Sequence, residues 1–204
     1  MKLHDSIGPN PHVVRMFAAE KGLDLARETV DLRSGENRQG AYVAKNPAGT
    51  TPTLELPDGS FVSEITVICE YLEELHPSPS LIGGSATERA ETRMWTRRID
   101  LGIVEPMANG FRAAEGRPMF EKRMKLVGTE GAADLKAIAR DRLMWLDGQM
   151  DGRTWICGDR FSLADILLYA FVTFGKTVGQ PLPPEATWLP GWAARVKARP
   201  SAAA

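Results

Sequence analysis

The residues best suited to recognise a small molecule are Thr51, Pro52 and Glu64, within the run from Asn46 to Glu74. Proline brings no backbone donor, and X-Pro bonds are the ones that adopt the cis form at low cost, roughly 0.5–1 kcal/mol. A cis bond at Thr51-Pro52 would turn the Thr51 N–H and C=O outward, where an extended peptide can pair with them as an added strand. Glu64 stands at the start of the next helix, near the same edge. Together they make a surface for a small peptide with a free amine. The same residues also read as an edge strand followed by a turn. The two cysteines, Cys69 and Cys157, have neither metal nor redox spacing. Both read as buried small hydrophobes, and no metal is expected. Ser162 and Asp165 have the spacing of a helix-capping pair, with Asp in place of the usual Glu or Gln, and read as a folding device.

The elements that must hold these residues follow from punctuation and period. Asn46-Pro47 and Gly49 are breakers. Thr53 to Leu56 alternates as a strand, Asp58-Gly59 signals a hairpin turn and Phe61-Val62 returns. Ile65, Ile68, Cys69, Leu72 and Leu75 recur at helical spacing, with Ser63 as the expected cap and Glu64 in the first turn. Upstream, Lys2–Asp5 reads as a first strand. A helix follows, with Asn10 as its expected cap, Pro11 at its first position and Gly22 as its stop. Arg27–Leu32 is a second strand, and 33–42 is polar with at most one short helix.

His76–Ser85 is a linker by composition, and the pattern after it is helical. One long helix is expected from Thr87 to Val104, kinked or ended by Pro106. A less regular helix lies within 111–126, a clear one spans Asp134–Met150, and a short last one spans Pro190–Arg199. The helix opened by Ser162 is apolar nearly all round and belongs at a centre. This order predicts α/β plus all-α: a thioredoxin-like domain over 1–76, a linker over 77–86 and a helical bundle domain over 87–204. The loop before the first helix is Gly8-Pro-Asn-Pro11, not Cys-x-x-Cys, so dithiol redox chemistry is excluded.

The net charge of −1 gives no global field favouring nucleic acid or an anionic membrane. The charge is unevenly split. Residues 1–80 carry 7 Lys/Arg against 12 Asp/Glu, while 81–204 carry 18 against 14. No basic run argues for a nucleic-acid tail, no apolar run approaches a membrane span and no targeting segment is read, so a cytoplasmic protein is expected.

The layout Asn46-Pro-x-Gly-x-x-Pro52-x-Leu54, then Asp58-Gly59, then Glu64 ahead of Ile68-x-x-Tyr71-Leu72, resembles the glutathione transferase family. The order of elements resembles it along nearly all 204 residues. The resemblance implies glutathione as co-substrate, with Thr51 and Pro52 along its backbone and Glu64 on its amino group. It places Ile65 where the family usually carries Ser, and Gln39 and Lys45 at the glycyl carboxylate. Gly8 takes the position of the hydroxyl residue of Ser-type members, with Ser6 two residues earlier. The loop resembles bacterial members in which an Asn donates to the thiol, here Asn10, or in which an Arg of this region acts, here Arg33. Ile7, Trp95, Arg98, Ile99 and Trp188 are the implied wall for a hydrophobic electrophile between domains, with Arg98 available to an anionic one. A symmetric homodimer is implied.

The implied activity is attack of the glutathione thiolate on an electrophilic small molecule, as in detoxification. The alternatives are glutathione-dependent disulfide or peroxide reduction and a non-catalytic binding or scaffold protein, which Gly8 and Ile65 favour. Isomerisation of the maleylacetoacetate type is weaker, because its Ser-Ser-Cys run is absent.

Overall fold

The computed structural model describes residues 1–204. Its first part is a four-stranded sheet in the order β2-β1-β3-β4, built from β1 (Lys2–Asp5), β2 (Ala26–Thr29), β3 (Thr53–Glu55) and β4 (Phe61–Ser63). β1 runs parallel to β2, with Leu3 opposite Arg27, and antiparallel to β3, with Leu3 opposite Leu54. The parallel pair requires a crossover, and α1 (Pro9–Glu20) supplies it, ended by Gly22 in the left-handed region. Side chains alternate across β1. Leu3 is buried in the hydrophobic core, and His4 is buried beside Tyr42 and Phe61. The segment 33–43 holds two short helical pieces, a 3-10 turn Glu36–Arg38 and α2 (Gly40–Val43), where one at most was expected.

α3 (Ile65–Leu75) packs against α1, and α1 packs on its other flank against α8 (Leu163–Thr177). That helix is buried along most of its length, as its sequence requires, and one continuous core of 36 residues runs from the sheet into the helices. The connection between the parts is pinned from beneath. Lys21 is buried, pairs with Glu73 and donates to the His76 carbonyl, while Glu73 accepts from the Leu81 and Ile82 amides.

α4 (Ala86–Ile99) opens with a Ser85–Glu88 capping box, a sequence signal that the reading of a Thr87 start passes over. It does not stop at Pro106. A π-helical turn, Asp100–Val104, leads directly into α5 (Glu105–Ala113), and the Glu105 N–H reaches five residues back to the Asp100 carbonyl. Proline in an α-helix clashes with the carbonyl four residues before it and lacks a donor; the wider turn accommodates both, so the chain continues. The less regular helix expected within 111–126 is divided: α5 runs to Ala113, and α6 (Arg117–Phe120) is a single turn after Gly116. α7 (Thr129–Gln149) and α9 (Leu189–Lys197) complete the set.

Candidate functional site

The Thr51–Pro52 bond is cis. The chain around it is held from behind by buried donors. Tyr42 Oη donates to the Thr50 carbonyl at 2.7 Å, Asn46 Nδ2 to the same carbonyl at 2.9 Å, and Asn37 Nδ2 to the Gly49 carbonyl at 2.6 Å. Thr51 Oγ1 is tied to Ser6 Oγ at 2.6 Å, which fixes the segment to the β1–α1 loop. The backbone N–H and C=O of Thr51 make no hydrogen bond within the chain. These are the free strand-edge groups that the sequence suggested.

β4 ends at Ser63, and Glu64 caps α3 in place of the expected Ser63, with φ +72°. A non-glycine residue in the left-handed region costs of order 1–3 kcal/mol and persists where the surroundings impose it. Its side chain is exposed, and its carboxylate has no partner in the chain. Ile65 is the first helical residue, and intrahelical bonding starts with Ile68 N–H onto the Glu64 carbonyl. The N–H groups of Ile65, Thr66 and Val67 are therefore free helix-terminal donors. Side by side stand a carboxylate for an ammonium, a helix N-terminus for a carboxylate and a strand edge for a peptide group. That set fits an amino-acid head continued by a peptide.

The β1–α1 loop borders this groove. Asp5 Oδ1 accepts from the Ser6 N–H and from Arg15 Nη1, which fixes its start. Gly8, at φ +112°, is the cap of α1, and Pro9 is the first helical residue. Asn10 thus lies inside the first turn rather than at the cap. Its amide is half-buried and makes no hydrogen bond in the chain. Arg33 sits in an exposed turn where its N–H donates to Asp31 Oδ1 and its guanidinium is unpaired. Gln39 is exposed just ahead of α2. Lys45 faces the outer strand, with Nζ 3.5 Å from Glu28.

The five residues expected between the domains do not come together. Trp95 and Ile99 are core residues, and Arg98 lies over the Trp95 ring at 4.9 Å. Arg98 and Ile99 border a cavity of about 480 Å³ lined entirely from α4, the π turn and α7, where Trp145 stands 6.1 Å from Trp95. Trp188 stacks on Trp192 at 5.6 Å and donates to the carbonyl of Arg153, whose guanidinium lies over the Trp95 ring at 5.8 Å. Ile7 is exposed on the β1–α1 loop.

α5 carries a polar row. Asn109 Nδ2 donates to Glu105 and Arg112 Nη1 to Asn109 Oδ1, both at 3.0 Å, so the three form a ladder along α5. Asp100 extends it backwards through the π turn. Burial holds the Asp100 carboxyl above its usual range; Glu105 and Glu64 push the same way and Arg97 opposes them. An unbroken 3.6-residue period does not align positions 100 and 105, so no sequence pattern marks this ladder.

Both cysteines are unsuited to nucleophilic work. Cys69 is fully buried and its thiol is pushed well up by desolvation, and Cys157 is raised by burial while Ser162 and Thr92 only partly oppose it.

Residues 7–75 match the glutathione S-transferase N-terminal domain and 118–200 the C-terminal domain. Glutathione S-transferase 2 of Saccharomyces cerevisiae is 32% identical over 197 residues, covering 95% of this chain and 84% of that protein. The chain belongs to the glutathione S-transferase family. Among solved family members, a glutathione S-transferase domain-containing protein from Marinobacter aquaeolei superposes with a TM-score of 0.92 at 35% identity, over 99% of this chain and all of the other. Gtt2 from S. cerevisiae superposes equally well at 31% identity, covering the whole of this chain and 99% of its own. A maleylacetoacetate isomerase of Pseudomonas aeruginosa is 42% identical over 171 residues, 79% of this chain and 76% of that protein. The thioredoxin-like sheet with its helical partner is the family fold, and the chain is a glutathione transferase enzyme.

Proposed function

We propose that the protein activates the thiol of glutathione for attack on an electrophilic small molecule. The observation that carries this is the groove in which unpaired Glu64, the α3 N-terminus and the free Thr51 edge face one another. In this reading Glu64 takes the γ-glutamyl ammonium and the amides from Ile65 onward its carboxylate. Thr51 and Pro52 hold the peptide, and Gln39 with Lys45 takes the glycyl carboxylate after Lys45 releases Glu28. The thiol then lies over the β1–α1 loop, within reach of Asn10 or Arg33.

A free thiol titrates near 8.5, and each unit of lowering needs about 1.4 kcal/mol of preference for the thiolate. Asn10 can donate without ionising, and Arg33 adds a charge. No protein thiol takes part. The C–S bond forms as the leaving group departs with its electron pair, and the thiol proton goes to solvent. The reading extends to electrophile detoxification by a cytoplasmic homodimer.

The test is titration of the protein with glutathione, read by heat or Trp fluorescence, followed by the pH dependence of thiolate absorbance in Asn10→Ala and Arg33→Ala. Saturable binding with a thiolate titration raised in one variant supports the reading and names the activating residue. Absence of binding sinks it. The isomerase relative at 42% identity favours a second reading, glutathione-dependent isomerisation. An isomerase regenerates free thiol, whereas a transferase consumes it one for one, and thiol counting separates the two.

A further inference from the structure

A 3-10 turn, Pro200–Ala203, packs along α1. It is held at several points on that helix. Arg199 forks onto the Glu20 carboxylate at 2.7 and 2.6 Å, and Ser201 Oγ donates to the same carboxylate. The Arg199 guanidinium also lies over the Phe161 ring, 4.0 Å from its centre. His12 Nε2 stands 3.2 Å from the Ala202 carbonyl, and Arg15 Nε donates to the Ala204 carbonyl at 3.1 Å.

Arg15 uses a different nitrogen on its other side. Nη1 donates to Asp5 Oδ1 at 2.7 Å and to the Ser6 carbonyl at 3.3 Å. The Asp5 and Arg15 side chains are only 14% and 18% exposed, so water competes little for this pair. Ser6 is buried, and its hydroxyl meets Thr51 Oγ1 at 2.6 Å. An unbroken run of contacts therefore leads from segment 199–204, through one guanidinium, to the free edge at Thr51. A guanidinium is planar and its donors point in fixed directions. Seating Nε on the segment thus fixes where Nη1 holds the Ser6 carbonyl.

We propose that Arg15 is a positioning residue for glutathione binding, and that segment 199–204, by seating Arg15, sets the place of the Thr51 edge. This rests on the transferase reading and adds to it a control from outside the groove. Arg15 acts through Ser6 and Thr51.

The test is glutathione affinity, read by calorimetry far below the melting temperature so that only folded protein is compared. Arg15→Lys keeps a charge for Asp5, but one ammonium cannot reproduce the two separate nitrogens that serve Ala204 and Ser6. It is expected to weaken glutathione binding about five- to tenfold, because the ligand must then order the Thr51 edge itself. Ser6→Ala cuts the tie to Thr51 and leaves the segment seated, and a similar loss is expected. The double variant is expected to bind within about twofold of the weaker single one, since the two act along one path. Glu20→Ala releases the segment at its other anchor and leaves Arg15 on Asp5. An about threefold loss is expected there, and it carries the same reading should Arg15→Lys not fold.

Unchanged affinity in Arg15→Lys and Glu20→Ala, with a lowered melting temperature, would make these contacts purely structural and overturn the inference. Full multiplication of the two losses in the double variant would also overturn it, because Arg15 would then act by a route other than Ser6. A wild type that binds no glutathione sinks the transferase reading itself, a result distinct from wild-type binding that the variants leave unmoved.

Discussion

At the scale of single residues, Glu64 joins two unusual properties: a backbone in the left-handed region and a carboxylate with no partner. The first is a cost that the hairpin and helix around it impose. The second means the side chain adds nothing to the folded chain alone. Glu64→Gln is therefore expected to leave the melting temperature within a few degrees of wild type. It should weaken glutathione binding at least about tenfold, the scale of one charge-assisted hydrogen bond. Calorimetry alongside a thermal melt checks both. A large loss of stability with unchanged affinity would return Glu64 to a purely structural role.

At the scale of elements, α8 depends on its N-terminus. Asp165 is fully buried and accepts from the Ile156 amide, the Trp192 indole, the Ser162 amide and the Ser162 hydroxyl. Desolvation outweighs these donors and pushes its carboxyl from 3.8 up to about 6. Between those values the folded chain keeps a proton that the unfolded chain has lost. The stability tied to that proton is present below about pH 4 and is lost as pH rises through about 6. Asp165→Asn removes this titration and sets an NH₂ against the Ser162 amide. It is expected to destabilise by about 1–3 kcal/mol. The gap from wild type, read from urea midpoints, should be wider near pH 4.5 than near pH 7.5. An equal gap at both would mean that Asp165 is ionised throughout.

At the scale of the whole molecule, apolar surface is left uncovered along one side of the helical part. Leu101, Ile138 and Trp145 are exposed around the cavity between the π turn and α7, and Val67 is exposed on α3. An acidic first part and a basic second part favour contact between the first part of one copy and the second of another. The 22.4 kDa chain is expected to sediment as a dimer, and Ile138→Asp or Trp145→Glu to shift it to monomer. A monomeric wild type at micromolar concentration would overturn the homodimer.

What the sequence determined by itself is the part written in local chemistry. Period and punctuation gave the four strands, α1, α3, α7 and α8. The proline at position 52 and the acid at position 64 marked the cis turn and the start of α3, because a turn proline and a helix-start carboxylate act within a few residues of themselves. Tertiary structure decided what depends on distance along the chain. The cap of α1 moved from Asn10 to Gly8 because two prolines compete for the first turn, and the left-handed φ at Glu64 displaced Ser63. The polar row along α5 was illegible. Trp95 and Ile99 carry the apolar signal and went to the core, while the π turn forced by Pro106 rotated Glu105, Asn109 and Arg112 into line behind Asp100. A helix read at 3.6 residues per turn cannot anticipate one inserted residue.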